Sequence, residues 1–295
     1  MEGVRWAFRC SAWSPTRSEW LLAARCIQRE EKERIGQFMF AKDSKSAMVG
    51  RLLIRKLVSE KMGFEWSEIR LERTPRGKPC LTHPCPPAGG PAWSFNISHQ
   101  GDYAVLAAEL GRQVGVDVMK TSRPGSGSVS EFFRIMKRQF TEHEWTTIRR
   151  AGSDWDQLHA FHRHWTLKES FIKATGTGLT FDLQRAEFHI SPEEMQEGRV
   201  YSDTKILLDE EEDDSWTFEE CLLDKQHHVA VAIGSSDRPV AEEAGMSQQA
   251  TPPAFILLSF TDLVSMATPL SEEDPAYWDS FQRKQEAPVR QSEQH

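Results

Sequence analysis

The stretch WTLKESFIKATGTG, residues 165–178, decides how the second half of this chain folds. At about 100° per residue, Glu169 and Lys173 share one face of a helix, while Leu167 and Phe171 lie on the opposite side and anchor it. A carboxylate and an ammonium are therefore presented together from a fixed support, which suits a metal ion beside a phosphate. The competing interpretation is an ordinary surface ion pair between residues four apart.

A second acidic residue interrupts an apolar strand upstream, in QVGVDVM (113–119). Asp117 lies among valines, and an unpaired carboxylate buried among apolar neighbours costs free energy. We therefore expect Asp117 either to find a partner or to hold a cation; the alternative is a strand-end residue that faces solvent. The preceding segment, 94–110, is predicted to form one strand, joined to this one by a turn around Gly111.

Two further segments carry groups that suit an anionic ligand. RTPRGK (73–78) presents three cations around a glycine whose backbone can approach phosphate oxygens closely, although a solvated basic turn is the alternative. FNISHQ (95–100) sets Asn96, Ser98 and His99 near a strand end, and we expect His99 to donate to an anion. A nucleophilic Ser98–His99 pair is disfavoured, because adjacent strand residues point to opposite faces.

A cluster of histidines in HAFHRH (159–164) invites a zinc interpretation. No cysteine or carboxylate pattern completes such a site, however. The sequence therefore predicts that His159, His162 and His164 are helix-surface residues without a metal.

Composition and charge describe an ordinary globular protein. The 295 residues are 39% hydrophobic and 27% charged, enough for one large domain or two. No apolar run reaches the roughly 18 residues of a membrane span, and no leader pattern is visible, so we expect an unexported protein. Five scattered cysteines fit a reducing compartment. The net charge of −8 divides into +6 over residues 1–120 and −14 over the rest, which favours a polyanionic ligand but not a general nucleic-acid surface.

The order of elements, helices followed by strands twice over, predicts an α+β protein of two similar lobes. The run DEEEDD (209–214) is expected to be a solvated hairpin tip. We divide the chain into an N-terminal lobe, a C-terminal lobe, and a linker with a tail, at 1–112, 113–236 and 237–295.

The combination of G-V-D at 115–117 and W-T-L-K-E-S-F-I-K at 165–173 resembles the signature of the Sfp-type 4′-phosphopantetheinyl transferases. That signature is G-[IV]-D followed by [FW]-x-x-K-E-[SA]-x-x-K, and the two pieces together are far more specific than either alone. The resemblance covers roughly residues 5–235. It implies an α+β fold of two pseudo-symmetric α/β lobes with the active site between them.

The resemblance also implies roles for individual residues, carried over by position. Asp117 and Glu169 are implied to bind Mg²⁺. Glu169 and Lys173 are implied to be catalytic, Glu169 by helping to deprotonate an acceptor serine and Lys173 by contacting the pyrophosphate. Contacts to coenzyme A are implied for Arg34, Arg73, Thr74, Pro75, Arg76, Gly77, Lys78, Asn96, Ile97, Ser98, His99 and Lys173.

One position departs from the family pattern. Bacterial members commonly have a third acidic ligand two residues after the aspartate, and here that residue is Met119, whose thioether is a poor ligand for magnesium. Water, or the amide of Gln100, is therefore expected to complete the metal shell.

The implied function is Mg²⁺-dependent transfer of the 4′-phosphopantetheine arm of coenzyme A to a serine of acyl or peptidyl carrier protein domains, with release of adenosine 3′,5′-bisphosphate. Implied acceptors include domains of fatty acid synthase and of an aminoadipate-semialdehyde dehydrogenase. We expect a cytoplasmic monomer without nucleic-acid or membrane partners. The alternatives are a non-catalytic protein that binds coenzyme A or carrier proteins, which Met119 favours, and a metal-dependent phosphohydrolase.

Overall fold

Helices and strands alternate along the chain in a mixed architecture. The computed structural model describes residues 3–84, 91–125, 127–235 and 252–288, so most of the predicted linker lies outside the described residues. The helices are α1 (Arg17–Arg25), α2 (Arg29–Gly36), α3 (Ala41–Met62), α4 (Val129–Ile135), α5 (Glu142–Arg150), α6 (Asp154–Thr175), α7 (Phe260–Val264) and α8 (Pro275–Phe281). The strands are β1 (Val4–Arg9), β2 (Arg70–Arg73), β3 (Pro79–His83), β4 (Trp93–Gln100), β5 (Tyr103–Leu110), β6 (Gln113–Lys120), β7 (Ala186–His189), β8 (Lys205–Leu208), β9 (Glu211–Glu212), β10 (Trp216–Asp224), β11 (His227–Gly234) and β12 (Ile256–Leu257).

Within the described ranges, the strands form four sheets, with the orders β12-β1-β5-β4, β10-β11-β6, β2-β3 and β7-β8-β9. The predicted α+β class is confirmed. The chain divides into two compact units: unit 1 is Met1–Trp6, Gly90–Gly101 and Val105–Ile256, and unit 2 is Ala7–Gly89, Asp102–Ala104 and Leu257–His295. The lobe boundaries inferred from the sequence stay a prediction.

Unit 1 is organised around the long helix α6. The helix starts at a capping box in which the Ser153 side chain accepts from the Asp156 amide and the Asp156 side chain accepts from the Ser153 amide. It packs against β6 and β11, and Leu167 and Phe171 enter a core with Phe188 from β7. The predicted apolar anchor of this helix is therefore confirmed.

Unit 2 is organised around α3, which is buried along most of its length. Apolar side chains on several of its faces, including Met48, Leu52 and Leu53, explain that burial. The helix also buries charged side chains such as Lys45 and Arg55, so its polar faces are covered as well, in part by distant segments of the chain.

Residues 257–286, here called the C-terminal segment, supply part of this cover. The ring of Phe260 stacks on Trp13 with centroids 5.3 Å apart, and Phe281 stacks on Trp20 at 3.8 Å. Lys284 donates to the carbonyl oxygens of residues 36 and 38, and the amides of residues 41 and 42 bond to the carbonyls of residues 285 and 286. The segment is therefore an integral part of unit 2.

The region 93–120 contains three strands, whereas the sequence interpretation expected two. A turn at Gly101 and Asp102 separates β4 from β5, and this pair of typical turn residues was the available signal. Gly101 has φ +63°, and a Cβ atom there would lie 2.4 Å from Nε2 of His227, so the turn requires glycine. The predicted turn near Gly111 is present.

Three smaller features of the sequence can be compared with the structure. The acidic run forms the β8–β9 turn, where Asp209 and Glu210 both have positive φ, as a tight two-residue hairpin requires. The four described cysteines are unpaired. Of the helices within the described ranges, none combines the length and apolar character needed to cross a bilayer.

Candidate active site

Helix α6 lies directly against β6 at Gly115. A Cβ atom at this position would lie 2.1 Å from the carbonyl oxygen of Ser170 and 2.4 Å from the amide nitrogen of Ala174. Only glycine permits such a close approach of helix backbone to strand. The glycine of the G-V-D motif thus brings the polar face of α6 to Asp117, two residues along the strand.

Asp117 is 5% exposed and shares a hydrogen-bond network with α6 and β4. Its Oδ1 accepts from the hydroxyl of Ser98 at 2.7 Å and from the ammonium of Lys173 at 2.6 Å. Lys173 also donates to Ser98 Oγ at 2.8 Å and to the carbonyl of Val116 at 3.3 Å. The sequence interpretation gave Asp117 a partner or a cation, and the structure provides the partner.

The second carboxylate oxygen, Oδ2 of Asp117, is buried and accepts no hydrogen bond from the described residues. A buried oxygen left without a donor costs about 1–3 kcal/mol, more when the group is charged. A bound cation removes that cost, because carboxylate oxygens are the ligands that hard divalent cations prefer. The donor set at Asp117 therefore fits a magnesium ion.

Glu169 lies half-buried on α6, one turn before Lys173. Burial raises the pKa of Glu169, the charge of Asp117 raises it further, and the charge of Lys173 opposes both. The two carboxylates are therefore close enough to repel each other. Such a pair favours either a shared cation or proton uptake by one member.

Alternate side chains of β4 bond to the backbone of β6. Asn96 Oδ1 accepts from the amide of Val116 at 3.1 Å, and Gln100 Oε1 accepts from the amide of Lys120 at 2.6 Å. Ser98 lies between them on the same face, because side chains of a strand alternate. This face of β4 therefore fixes the strand that carries Asp117.

The opposite face of β4 carries Ile97, half-buried, and His99, exposed. Because side chains of a strand alternate, these two point to the face opposite Ser98. Gln100, considered as a metal ligand, already uses its side-chain oxygen on a backbone amide. That engagement favours water over Gln100 as a completing ligand.

In unit 2, three arginines converge on Glu31. Its carboxylate lies 2.8 Å from Nη2 of Arg34, 3.3 Å from Nε of Arg73 and 3.5 Å from Nη1 of Arg51. Arg51 is 4% exposed, and its Nε and Nη1 have no hydrogen-bond acceptor among the described residues. Burial lowers the pKa of Arg51 to about 10. The charges of Arg73 and Arg34 lower this pKa further, whereas the charge of Glu31 raises it. A single carboxylate leaves this cluster net positive with spare donors, which suits a phosphate.

The segment RTPRGK forms the turn between β2 and β3. The Thr74 amide donates to the Lys78 carbonyl at 2.8 Å, and the Lys78 amide donates to Thr74 Oγ1 at 3.1 Å. Arg73 donates to the carbonyl of Gly77 at 3.0 Å as well as to Glu31. The turn and the arginine cluster are thus connected through Arg73, and residues 75–76 are exposed at the tip.

Two charged residues that the sequence interpretation left without a role support these sites. Lys168, inside the WTLKES run, is buried with its Nζ 2.9 Å from Glu144, and it also donates to the Leu183 carbonyl at 2.8 Å. It fixes α6 in place, whereas its neighbour Glu169 faces the Asp117 network. The second residue is Glu31. Its position three residues before Arg34 on a helix is the one feature of the sequence that indicated their pairing.

The prediction that the HAFHRH histidines lie on the helix surface is wrong for two of them. His162 and His164 are buried, because α6 packs on an aromatic cluster as well as on the sheet. Burial lowers the pKa of His164 to about 3, and its Nδ1 lies 2.7 Å from the Ala160 carbonyl. His159 is half-buried, with Nδ1 3.0 Å from Nε2 of His228.

Comparison with known proteins identifies the class to which this fold and these residues belong. Residues 11–111 match the family described as 4′-phosphopantetheinyl transferase, N-terminal, and residues 113–232 match the 4′-phosphopantetheinyl transferase superfamily. The chain belongs to the 4′-phosphopantetheinyl transferase superfamily and is an enzyme that transfers 4′-phosphopantetheinyl groups to carrier proteins.

Two animal relatives resemble it over nearly the whole chain, and a bacterial relative over about half of it. It is 56% identical over 296 residues to an L-aminoadipate-semialdehyde dehydrogenase-phosphopantetheinyl transferase of Xenopus laevis, covering 99% of this chain and 95% of that protein. Identity to the Homo sapiens protein of the same name is 54%, covering 98% and 94%. The Bacillus subtilis 4′-phosphopantetheinyl transferase Sfp is 31% identical over 157 residues, which is 53% of this chain and 63% of that protein. The family, the enzyme class and the transferase activity expected from the motifs are confirmed.

Proposed function

We propose that Asp117 and Glu169 bind Mg²⁺, that Glu169 and Lys173 are the catalytic residues, and that coenzyme A is the donor. The acceptor is a serine hydroxyl on a carrier-protein domain, and adenosine 3′,5′-bisphosphate is released. The observation that carries this proposal is the buried, unpartnered Oδ2 of Asp117 close to a second carboxylate.

Asp117 and Glu169 are the residues that would hold the metal. Bound Mg²⁺ supplies charge compensation for the pyrophosphate oxygens. Asp117 is prepared for this role, because Ser98 and Lys173 occupy only its Oδ1 and leave the other oxygen to a ligand.

Glu169 accepts the proton of the acceptor serine. A carboxylate has two oxygens, so Glu169 can bind the metal through one and accept the hydroxyl proton through the other, directly or through water. The serine oxygen then forms a bond to the phosphorus atom that carries the pantetheine arm. The bond from that phosphorus to the bridging pyrophosphate oxygen breaks, and the bridging oxygen leaves with the nucleotide.

Lys173 stabilises the negative charge that develops on the leaving oxygen. Hydrogen bonds to Ser98 and Asp117 hold its ammonium in place before any ligand arrives. An ammonium has three donors, so it can keep part of this support while it contacts phosphate.

The arginine cluster is the proposed site of the 3′-phosphate of coenzyme A. Its support is the excess of positive charge and the unused donors of buried Arg51. We assign nucleotide contacts to the residues implied by the family pattern: Arg34, Arg73, Thr74, Pro75, Arg76, Gly77, Lys78, Asn96, Ile97, Ser98 and His99. Asn96 and Ser98 also fix β6 and Asp117, so their loss is expected to affect more than nucleotide binding.

The test is the intact mass of a serine-bearing apo carrier protein incubated with the enzyme, coenzyme A and Mg²⁺. Glu169→Gln removes the proposed base. Glu131→Gln makes the same change on the exposed face of α4, where, among the described residues, the carboxylate pairs with Arg134 alone. We expect one phosphopantetheine per carrier with the wild type and the Glu131 variant, and a rate at least about 100-fold lower with the Glu169 variant. Equal rates for all three proteins contradict the assignment.

Three further expectations belong to this proposal. The acceptors include carrier domains of an aminoadipate-semialdehyde dehydrogenase, the enzyme in the names of the animal relatives, and of fatty acid synthase. The unpaired described cysteines support a cytosolic location. We expect a monomer, which size-exclusion chromatography with light scattering measures directly.

A further inference from the structure

Two histidines and a glutamate meet on the surface of unit 1, outside the residues assigned to phosphopantetheinyl transfer. The ring nitrogens of His143 and His189 and a carboxylate oxygen of Glu187 all lie within 4.8 Å of one another. We propose that these three residues form a zinc-binding site that ties the start of α5 to β7. Two imidazoles and one carboxylate are a common ligand set for Zn²⁺, with the fourth position open to water.

The scaffold holds the three side chains together without a metal. Glu187 and His189 are two residues apart on β7 and therefore share a face, and Nε2 of His189 lies 2.8 Å from Oε1 of Glu187. Buried Glu144, next to His143 on α5, accepts from the amide of Phe188 at 3.0 Å. This buried bond fixes His143 opposite the two strand residues.

The charges around the cluster permit a divalent cation. Glu187 supplies one negative charge, and the neutral imidazoles of His143 and His189 add no charge that would repel a cation. Lys205 pairs with His189 across the β7–β8 ladder, yet its ammonium lies 3.1 Å from Glu212 and 2.9 Å from Asp214. The positive charge of Lys205 is therefore already balanced by these two carboxylates.

The rings of His143 and His189 are not arranged as they would be around a bound metal ion. The two imidazoles are stacked, with centroids 4.1 Å apart and planes 6° from parallel. A metal lies in the plane of each ring that binds it, so two stacked rings cannot bind the same ion. Exposed His143 has room to turn, and zinc binding is expected to break the stack.

The test is a zinc titration of the full chain by calorimetry, in excess Mg²⁺ so that oxygen-only sites stay occupied. We expect one Zn²⁺ per chain. The variants His143→Ala and His189→Ala should each bind at least about 100-fold more weakly, because losing a ligand exceeds the 10- to 100-fold cost of losing an outer partner. His83→Ala removes an exposed histidine elsewhere, and Glu169→Gln changes the proposed magnesium site; both should bind zinc like the wild type.

A second measurement applies to the wild type alone and does not depend on the folding of any variant. Addition of one equivalent of Zn²⁺ should shift the NMR signals of the His143 and His189 rings together as the stack opens, and should raise the melting temperature. Undiminished zinc affinity in His143→Ala, absence of stoichiometric binding to the wild type, or ring signals that do not move on saturation each overturn the proposal.

Discussion

The variant Gly115→Ala tests whether the contact between α6 and β6 sets the geometry of the Asp117 network. The added Cβ atom would lie 2.1 Å from the Ser170 carbonyl oxygen, whereas ordinary contact begins at 3.4 Å, so the helix must retreat by about 1.3 Å. The three atoms that the new Cβ would meet belong to the backbone of Ser170 and Ala174, so no side-chain rotation relieves the clash. A retreat of that size breaks the 2.6 Å contact between Lys173 and Asp117.

The expected losses follow from that displacement. Overpacking costs about 1–3 kcal/mol of the free energy of unfolding, and a misplacement of about 1 Å in a catalytic group costs about 100-fold in rate. The assay measures the initial rate of carrier modification by intact mass and the thermal melting of the same sample. Gly125→Ala is the matched control, because nothing lies within 4 Å of its Cβ position. If the two variants melt and react alike, the close approach at Gly115 has no role in positioning the site.

Three further predictions concern stability. Lys168→Met leaves the buried carboxylate of Glu144 without its partner and should lower the free energy of unfolding in urea by about 3–5 kcal/mol. Adding Glu144→Gln should recover most of that loss. A double variant as unstable as the single one contradicts this expectation. His164 is neutral when folded, with a pKa of about 3, but takes up a proton below its ordinary 6.5 when unfolded. His164 should therefore contribute about 1.4 kcal/mol per pH unit to the loss of stability as the pH drops below 6.5, in addition to the loss from other buried histidines such as His228. His164→Gln should reduce the slope by that amount, and an unchanged slope is the contrary result. Phe281→Ala removes the ring stacked on Trp20 and should cost about 3–5 kcal/mol in thermal or urea unfolding, whereas a wild-type midpoint would show that this contact is not stabilising.

Local sequence patterns correctly predicted which side chains share a face of one helix or are buried in one strand. Glu169 and Lys173 are four apart on one helix, and their shared face follows from helix periodicity alone. Asp117 was visible as one charge in an apolar strand, and its burial agrees with that pattern. Such predictions succeed because the informative neighbours lie within a few residues in the chain.

Contacts between distant segments could not be predicted in this way. Arg73 reaches Glu31 across 42 residues, and in the sequence Glu31 is one of several charges on a polar helix. The turn at Gly101 is a different case, because Gly101 and Asp102 are typical turn residues and the signal was local. The long-range pairs differ in this respect. A single sequence holds no signal that pairs such partners, because their proximity is decided by tertiary packing.

The C-terminal segment has a consequence for how the chain is made. Residues 7–89 leave the ribosome early, but Trp13 and Trp20 acquire their stacking partners only after Phe260 and Phe281 have been synthesised. Until then the nascent chain carries an uncovered aromatic surface of the kind that chaperones recognise. A premature stop codon before residue 257 would therefore disable the part of the protein translated first, although every residue of that part had been correctly made.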